Sequence, residues 1–293
     1  MDEWRRDIAT TSARTHYLEL GSGDPVLLLH GSGPGVSALA NWRFAIPALA
    51  RTRRVIAPDL LGFGRTETSH PSRVDLGAWA GQVMELADAL GLPAFDLVGN
   101  SMGGAIALEL AVRHPARVRR LVTMGSLGVP IPITPALDMV WGYTPDLERM
   151  RDVIALFAWD QSYARDESLV RLRYETSLDP SVRSRYEAMF PAPRQRAVDA
   201  AVVAEEALRA LPHPVLLVHG RDDRVVPLET SQRLAELLPN ARLVVYPRCG
   251  HWVQIERRVE FPELVGAFLG MDLGEVPVAP ERDGGAAQGS RYR

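Results

Sequence analysis

Val98-Gly99-Asn100-Ser101-Met102-Gly103-Gly104 decides the fold of this 293-residue chain. It reads G-x-S-x-G, with the apolar run Phe95-Asp96-Leu97-Val98 before it and a helical run over residues 105–114 after it. A strand that turns sharply into a helix can hold a serine in a strained conformation, its hydroxyl exposed at the strand's C-terminal edge. Gly99 and Gly103 allow the tight turn and the close helix–strand approach that a Cβ would block. A helix beginning at Met102 points free N–H groups at the space above Ser101, so negative charge developing there is stabilised. The competing reading is a Gly-rich strand–helix turn with a solvated serine, and the partners found further along the chain decide against it.

Working outward, Thr15 to Leu20 alternate weakly and read as an edge strand. Val26-Leu27-Leu28-Leu29 is continuously apolar, as a strand buried on both faces requires. It leads into His30-Gly31-Ser32-Gly33-Pro34-Gly35, a loop that can bring backbone N–H groups close to a ligand. A helix is expected over 41–50, a strand at Val55-Ile56-Ala57, and a turn at Gly62-Phe63-Gly64. Residues 76–90 read as a helix stopped by Gly91 and Pro93, and 118–124 as another strand. Apolar strands alternating with helices of this length predict an α/β architecture: a mostly parallel, doubly wound sheet covered on both faces.

The pattern breaks at Gly128. Residues 128–210 hold no buried-strand run; they open with Pro130, Pro132 and Pro135 and continue with helical stretches at 147–158 and 167–176. A helical cap inserted between two parts of the core, 1–127 and 211–272, is expected. After Pro214 the core pattern resumes with strands at 215–218 and 243–246, helices at 230–238 and 259–269, and loops between them. Residues 273–293, rich in Pro, Gly, Ala and charge, read as a disordered tail.

Composition removes whole classes of function. A net charge of −3 gives no electrostatic case for nucleic acid or an acidic membrane surface. All 33 basic residues are arginine. Without lysine there is no Schiff-base lysine, no pyridoxal-phosphate lysine and no Walker-type phosphate lysine. The lone Cys249 rules out an internal disulfide and a cysteine-based zinc site. Met1-Asp2-Glu3-Trp4-Arg5-Arg6 has no apolar leader, and no run approaches membrane-spanning length, so a cytoplasmic location is expected.

A serine hydroxyl needs a base within hydrogen-bond reach, and the base needs an orienting acid. Both stand in loops that follow strands: Asp222 and Asp223 after 215–218, His251 after 243–246. Among seven histidines, His16 lies in a strand, and His70, His114 and His213 sit beside prolines in surface turns. His30 and His219 end core strands and read as loop supports. His251 alone comes late, after a core strand and before a helix. Spacing does not choose between Asp222 and Asp223.

Four stretches together make the pattern specific: His30-Gly31-Ser32-Gly33-Pro34-Gly35 with Ala40-Asn41-Trp42, then Gly99 to Gly104, Gly220-Arg221-Asp222-Asp223-Arg224, and Gly250-His251-Trp252. Over about residues 15 to 270 the chain resembles the meta-cleavage product hydrolases, α/β-hydrolases that cleave a carbon–carbon bond in ring-opened catechols. The lid stretches Gly128-Val129-Pro130-Ile131-Pro132-Ile133-Thr134 and Met189-Phe190-Pro191-Ala192-Pro193-Arg194 most resemble the branch acting on 2-hydroxymuconate-6-semialdehyde and its 6-alkyl relatives. The resemblance implies Ser101 as nucleophile, His251 as acid–base, and Asp223, the second of the pair, as its orienter. It implies an oxyanion hole from the N–H groups of Ser32 and Met102, and Asn41, Asn100, Arg173 and Trp252 holding the dienoate end. It implies a small-molecule dienoate as partner, no metal and no organic cofactor, and leaves self-association open. Leu127, just past the strand ending at Met124, is expected to narrow the pocket for the C6 group.

Each assignment has a plainer rival. Arg173 could be one more solvated arginine beside Arg171, and Trp252 could be core packing. A carboxylesterase shares the triad, and a small-molecule receptor can be built on the same fold. Haloalkane dehalogenases and epoxide hydrolases need an acidic nucleophile where Ser101 stands.

Overall fold

The computed structural model describes residues 1–68 and 74–271; His70 and the stretch read as a tail lie outside them. Nine strands form one sheet: β1 (Arg5–Ala9), β2 (Ala13–Leu20), β3 (Pro25–Leu29), β4 (Arg54–Pro58), β5 (Glu67–Thr68), β6 (Phe95–Asn100), β7 (Val118–Met124), β8 (Val215–Gly220) and β9 (Ala241–Tyr246). Their order is β1-β2-β4-β3-β6-β7-β8-β9, with β5 on β2. The six neighbours β4-β3-β6-β7-β8-β9 pair in parallel, and every pairing of β2 is antiparallel. The order reverses at β3: β4 lies on one side of it and β6 on the other. In open α/β sheets ligands bind at such a switch point, outside the carboxyl ends of the strands.

The apolar strand runs feed two cores, as a period of two requires. Leu27, Leu29, Leu97, Leu121, Val215 and Leu217 pack on one face. Val26, Leu28, Val98, Val122, Leu216 and Val218 pack on the other. The first core continues into the helical segment between β7 and β8 through Trp141, Met150, Phe157 and Phe190. That segment holds seven helices, from Pro135–Trp141 to Glu205–Arg209, and no strand among its residues. None of the helices described is long and apolar enough to cross a membrane.

Three expectations need correction. The strand at 15–20 is not an edge: β1 pairs along it from Arg5 opposite Leu18 to Ala9 opposite Arg14. β1 is charged and largely exposed, so it joins the sheet through backbone hydrogen bonds rather than apolar burial. The helix expected over 41–50 is two short ones, Ala38–Trp42 and Ala45–Leu49. Pro47 lacks an N–H and its ring would clash with the carbonyl of residue 43, so the helix restarts. His213 is not in a surface turn. It is buried, and its Nε2 lies 2.9 Å from the Pro115 carbonyl.

Candidate active site

Ser101 sits between β6 and the helix Met102–Arg113 with φ +56° and ψ −118°, a backbone conformation that L-residues rarely hold. Its N–H donates 2.8 Å to the Met124 carbonyl of β7, and its carbonyl accepts from Leu127 at 3.3 Å. A Cβ on Gly103 would overlap the Leu29 and His30 carbonyls, so glycine is what lets the helix start above the end of β3. Met102 is the first residue of that helix, and its N–H has no acceptor within the helix. The loop after β3 also comes close: a Cβ on Gly31 would lie 3.0 Å from Ser101 Cβ. His30 fixes this loop. Its Nε2 accepts from the Leu60 N–H at 3.0 Å, so the proton is on Nδ1, which donates 2.7 Å to the Gly31 carbonyl. Burial pushes its pKa down and keeps it neutral.

The loops after β8 and β9 bring Asp223 and His251 together. His251 Nδ1 lies 2.7 Å from Asp223 Oδ2, and both side chains are buried. Asp223 Oδ1 accepts from the Val225 and Val226 N–H groups at 2.8 and 3.0 Å. Burial acts to raise the Asp223 pKa, but the imidazole of His251 and the side chain of His219 outweigh it and hold the carboxyl far below the usual carboxylate range. An ionised carboxylate only accepts, so Nδ1 of His251 bears a proton, and in the neutral ring the lone pair is the one on Nε2. His219 props the same loop, its Nε2 3.0 Å from the Val226 carbonyl and 3.4 Å from Asp223 Oδ2. Asp222 turns away: its N–H donates to the Cys249 carbonyl, and its carboxylate lies 4.0 Å from Arg221 Nε. Arg224 is exposed.

Ser101 and His251 line one cavity of about 320 Å³ with Ser32, Asn41, Asn100, Phe157, Arg173 and Trp252. Arg173, on the helix Glu167–Ser177, is buried rather than solvated. One amino group donates 2.8 Å to the Pro34 carbonyl, while Nε is buried without a partner. The guanidinium lies 5.0 Å from the Trp252 ring centre and 6.0 Å from that of Phe157. Burial, with help from the charge of Arg43, lowers its pKa to about 10, so it is a cation at neutral pH. Asn41 Nδ2 is likewise buried and unpartnered, with Oδ1 3.3 Å from Gln254 Nε2. Asn100 spends one N–H on the Met124 carbonyl at 3.2 Å. A second cavity of about 450 Å³ is lined by Met102, Leu127, Trp79, Trp141, Met189 and Phe190, among others. Met102 lines this second cavity, and its chain neighbour Ser101 lines the first.

Residues 24–258 match the family model of the alpha/beta hydrolase fold. The chain is 51% identical over 264 residues to a 2-hydroxymuconate semialdehyde hydrolase of Pseudomonas sp. (strain CF600), covering 90% of this chain and 93% of the relative. It is 49% identical over 264 residues to a 2-hydroxy-6-oxo-2,4-heptadienoate hydrolase of Pseudomonas putida, covering 90% and 95%. The solved meta-cleavage product hydrolase of Pseudomonas fluorescens IP01, complexed with acetates, superposes with a TM-score of 0.89. It is 44% identical and covers 92% of this chain and 98% of its own. The chain belongs to the meta-cleavage product hydrolases.

In this hydrolase the sequence-selected residues fall into two groups. Ser101, His251, Ser32, Asn41, Asn100, Arg173 and Trp252 meet at the polar cavity, with Asp223 behind His251. Met102 and Leu127 line the apolar one. Sequence reasoning passed over Phe157, whose ring stacks on His251 at 5.7 Å and on Trp252 at 4.8 Å. It also passed over Trp141, which bonds to Ser32, and Gly125 (φ +51°), where a Cβ would lie 3.0 Å from His251 Nδ1 and 3.1 Å from Asp223 Oδ2. The aromatic residues of the helical segment gave a signal of composition only. Gly125 had a positional one, as the residue directly after a core strand.

Proposed function

We propose that this meta-cleavage product hydrolase uses Ser101, His251 and Asp223 to break the C5–C6 bond of 2-hydroxy-6-oxohexa-2,4-dienoates bearing hydrogen or a short alkyl group at C6. The observation that carries the reading is Arg173, a buried cation that makes no ion pair among the described residues, on the wall of the cavity shared by Ser101 and His251. An unpaired charge in such a place is costly, and the carboxylate and 2-oxo end of a dienoate would neutralise it through charge-assisted bonds. The unpartnered Nδ2 of Asn41 offers a second donor there. The apolar cavity past Met102 suits the C6 substituent. The printed activities of the relatives, on 2-hydroxymuconate semialdehyde and 2-hydroxy-6-oxo-2,4-heptadienoate, support the same class.

The chemistry has two stages. The dienol is protonated at C5 as its hydroxyl loses a proton, leaving a 2-oxo group and C5 bonded to the C6 carbonyl carbon. Oxygen then adds to C6, from Ser101 or from a water that Ser101 orients, and His251 Nε2 takes the proton. The N–H groups of Ser32 and Met102 stabilise the oxyanion. Collapse breaks C5–C6, and the electron pair passes into the conjugated enolate, which leaves as 2-hydroxypenta-2,4-dienoate. The C6 fragment, with the oxygen of one water, leaves as formate or a short carboxylic acid. We read residues 128–210 as a cap whose Arg173 couples closure to substrate binding.

Following loss of the yellow dienoate chromophore across C6 hydrogen, methyl, isopropyl and phenyl substrates, beside a p-nitrophenyl ester, tests the proposal. We expect kcat/KM on the hydrogen or methyl dienoate to exceed that on the phenyl one and on the ester. Ester hydrolysis without dienoate turnover would make the chain a carboxylesterase, and tight dienoate binding without turnover would make it a receptor.

A further inference from the structure

Trp141 ends the helix Pro135–Trp141, and its indole N–H donates 2.8 Å to Ser32 Oγ across 109 residues of sequence. An indole nitrogen only donates, so the polarity of this bond is fixed. Both residues are buried. Ser32 stands between Gly31 and Gly33, in a loop with few side chains to hold it. Among the described residues Trp141 is the only hydrogen-bond partner of the Ser32 hydroxyl. The face of the indole stacks on Phe190, with ring centres 4.6 Å apart and planes 9° apart, and the same ring lines the apolar cavity with Met102 and Leu127. One side chain therefore touches both the residue whose N–H is assigned to the oxyanion hole and the space assigned to the C6 substituent.

We propose that Trp141 is a positioning residue that aims the Ser32 N–H and makes that aim depend on what fills the apolar cavity. A substituent that fits between Met102 and Leu127 leaves the indole stacked on Phe190 and bonded to Ser32. A bulkier one displaces the indole, frees the Ser32 loop and weakens oxyanion stabilisation. Size at C6 is then read in kcat and not only in KM, since interactions stronger in the transition state act on kcat. The inference rests on the reading of the two cavities given above.

The test is a double-mutant cycle with Trp141→Phe, which keeps an aromatic ring against Phe190 but loses the donor, and Ser32→Ala, which keeps the backbone N–H but loses the acceptor. Values of kcat and KM are measured on the C6-methyl and C6-phenyl dienoates and on p-nitrophenyl acetate, whose carbonyl oxygen would use the same hole. Each single variant should lose about fivefold in kcat, the effect of one neutral hydrogen bond, with KM nearly unchanged. The double variant should be no worse than either single one. In both singles the phenyl-to-methyl kcat ratio should rise towards one. Multiplying losses, a loss confined to KM, or an unchanged ratio would each overturn the proposal. Should Trp141→Phe fail to fold, Ser32→Ala alone must show the kcat loss, and a wild-type kcat there overturns it. Absence of dienoate turnover would sink the substrate reading while the cycle stays readable on the ester.

Discussion

Asp223 divides its two oxygens between an imidazole and a backbone: Oδ2 lies 2.7 Å from His251 Nδ1, and Oδ1 accepts from the N–H groups of Val225 and Val226. The carboxylate is locked in place by its own loop before it orients the imidazole. Asp222, one residue earlier, has no such contact with His251. Asp223→Asn should therefore reduce kcat by orders of magnitude, because an amide can present its N–H to Nδ1 and impose the wrong tautomer. Asp222→Asn should stay within a few-fold of wild type. The reverse ranking, measured on correctly folded variants, would move the acid to Asp222.

The same contacts predict a pH effect on stability. Asp223 is held below its unfolded-chain value, so the folded state gains from its ionisation. That contribution is fully present above about pH 4, the ordinary aspartate range, and is lost as pH falls towards the folded value. Urea unfolding of wild type and Asp223→Asn should show a stability gap that narrows below about pH 4. A gap independent of pH down to 2 would refute the assignment of the shift to Asp223.

Ser101→Ala and His251→Ala should each lower turnover by roughly a thousandfold or more while leaving the fold intact. A Ser101 variant with more than a tenth of wild-type activity would rule out Ser101 at the reacting carbon.

Gly125→Ala places a Cβ 3.0 Å from His251 Nδ1 and 3.1 Å from Asp223 Oδ2 at a residue with φ +51°. The change adds backbone strain of about 1–2 kcal/mol and presses on the pair. A fall in kcat on the order of tenfold or more is expected, with far-ultraviolet circular dichroism unchanged. Wild-type kcat would mean that the loop after β7 yields.

How much of this was legible in the sequence depended on how local the physics is. The serine turn was readable because Gly99, Ser101 and Gly103 express a backbone requirement within five residues. The placing of Asp222, Asp223 and His251 in loops that follow strands came from apolar strand runs that announce themselves. The choice of Asp223 over Asp222 was not readable from spacing, since neighbouring residues of one loop point in different directions and only the fold says which faces His251. β1 was missed because Arg5-Arg6-Asp7 gives no apolar period, its pairing being made by backbone groups. Phe157 and Trp141 were missed because their importance lies in contacts across about a hundred residues, to His251 and Ser32.

Leu127 lines the apolar cavity beside Met102, and a C6 substituent placed there would meet its side chain. Leu127→Ala should raise the phenyl-to-methyl ratio of kcat/KM by about tenfold, the scale on which a few methylene groups discriminate in an apolar pocket. An unchanged ratio would place the C6 group elsewhere.

Arg173 gives the sharpest separation between a dienoate hydrolase and an esterase. Its guanidinium is buried, is held by the Pro34 carbonyl and lies over Trp252, with Nε unpartnered. Its pKa, lowered to about 10 by burial and by Arg43, leaves it charged throughout the neutral range. A dienoate carboxylate would supply the missing counter-charge, and a neutral ester would not. Loss of a charge-assisted bond costs about 1.5–3 kcal/mol, or roughly ten- to a hundredfold in kcat/KM. Arg173→Ala should show that loss on dienoates and little on p-nitrophenyl acetate. Arg173→Lys should recover only part of it, because a lysine keeps the charge but loses the planar fork that meets a carboxylate and stacks on an aromatic ring. Removing the side chain also opens space beside Phe157 and Trp252, so a purely structural role would impair both substrates alike. Equal losses on dienoate and ester, or none on either, would leave Arg173 as packing and place the anchor elsewhere in the cavity.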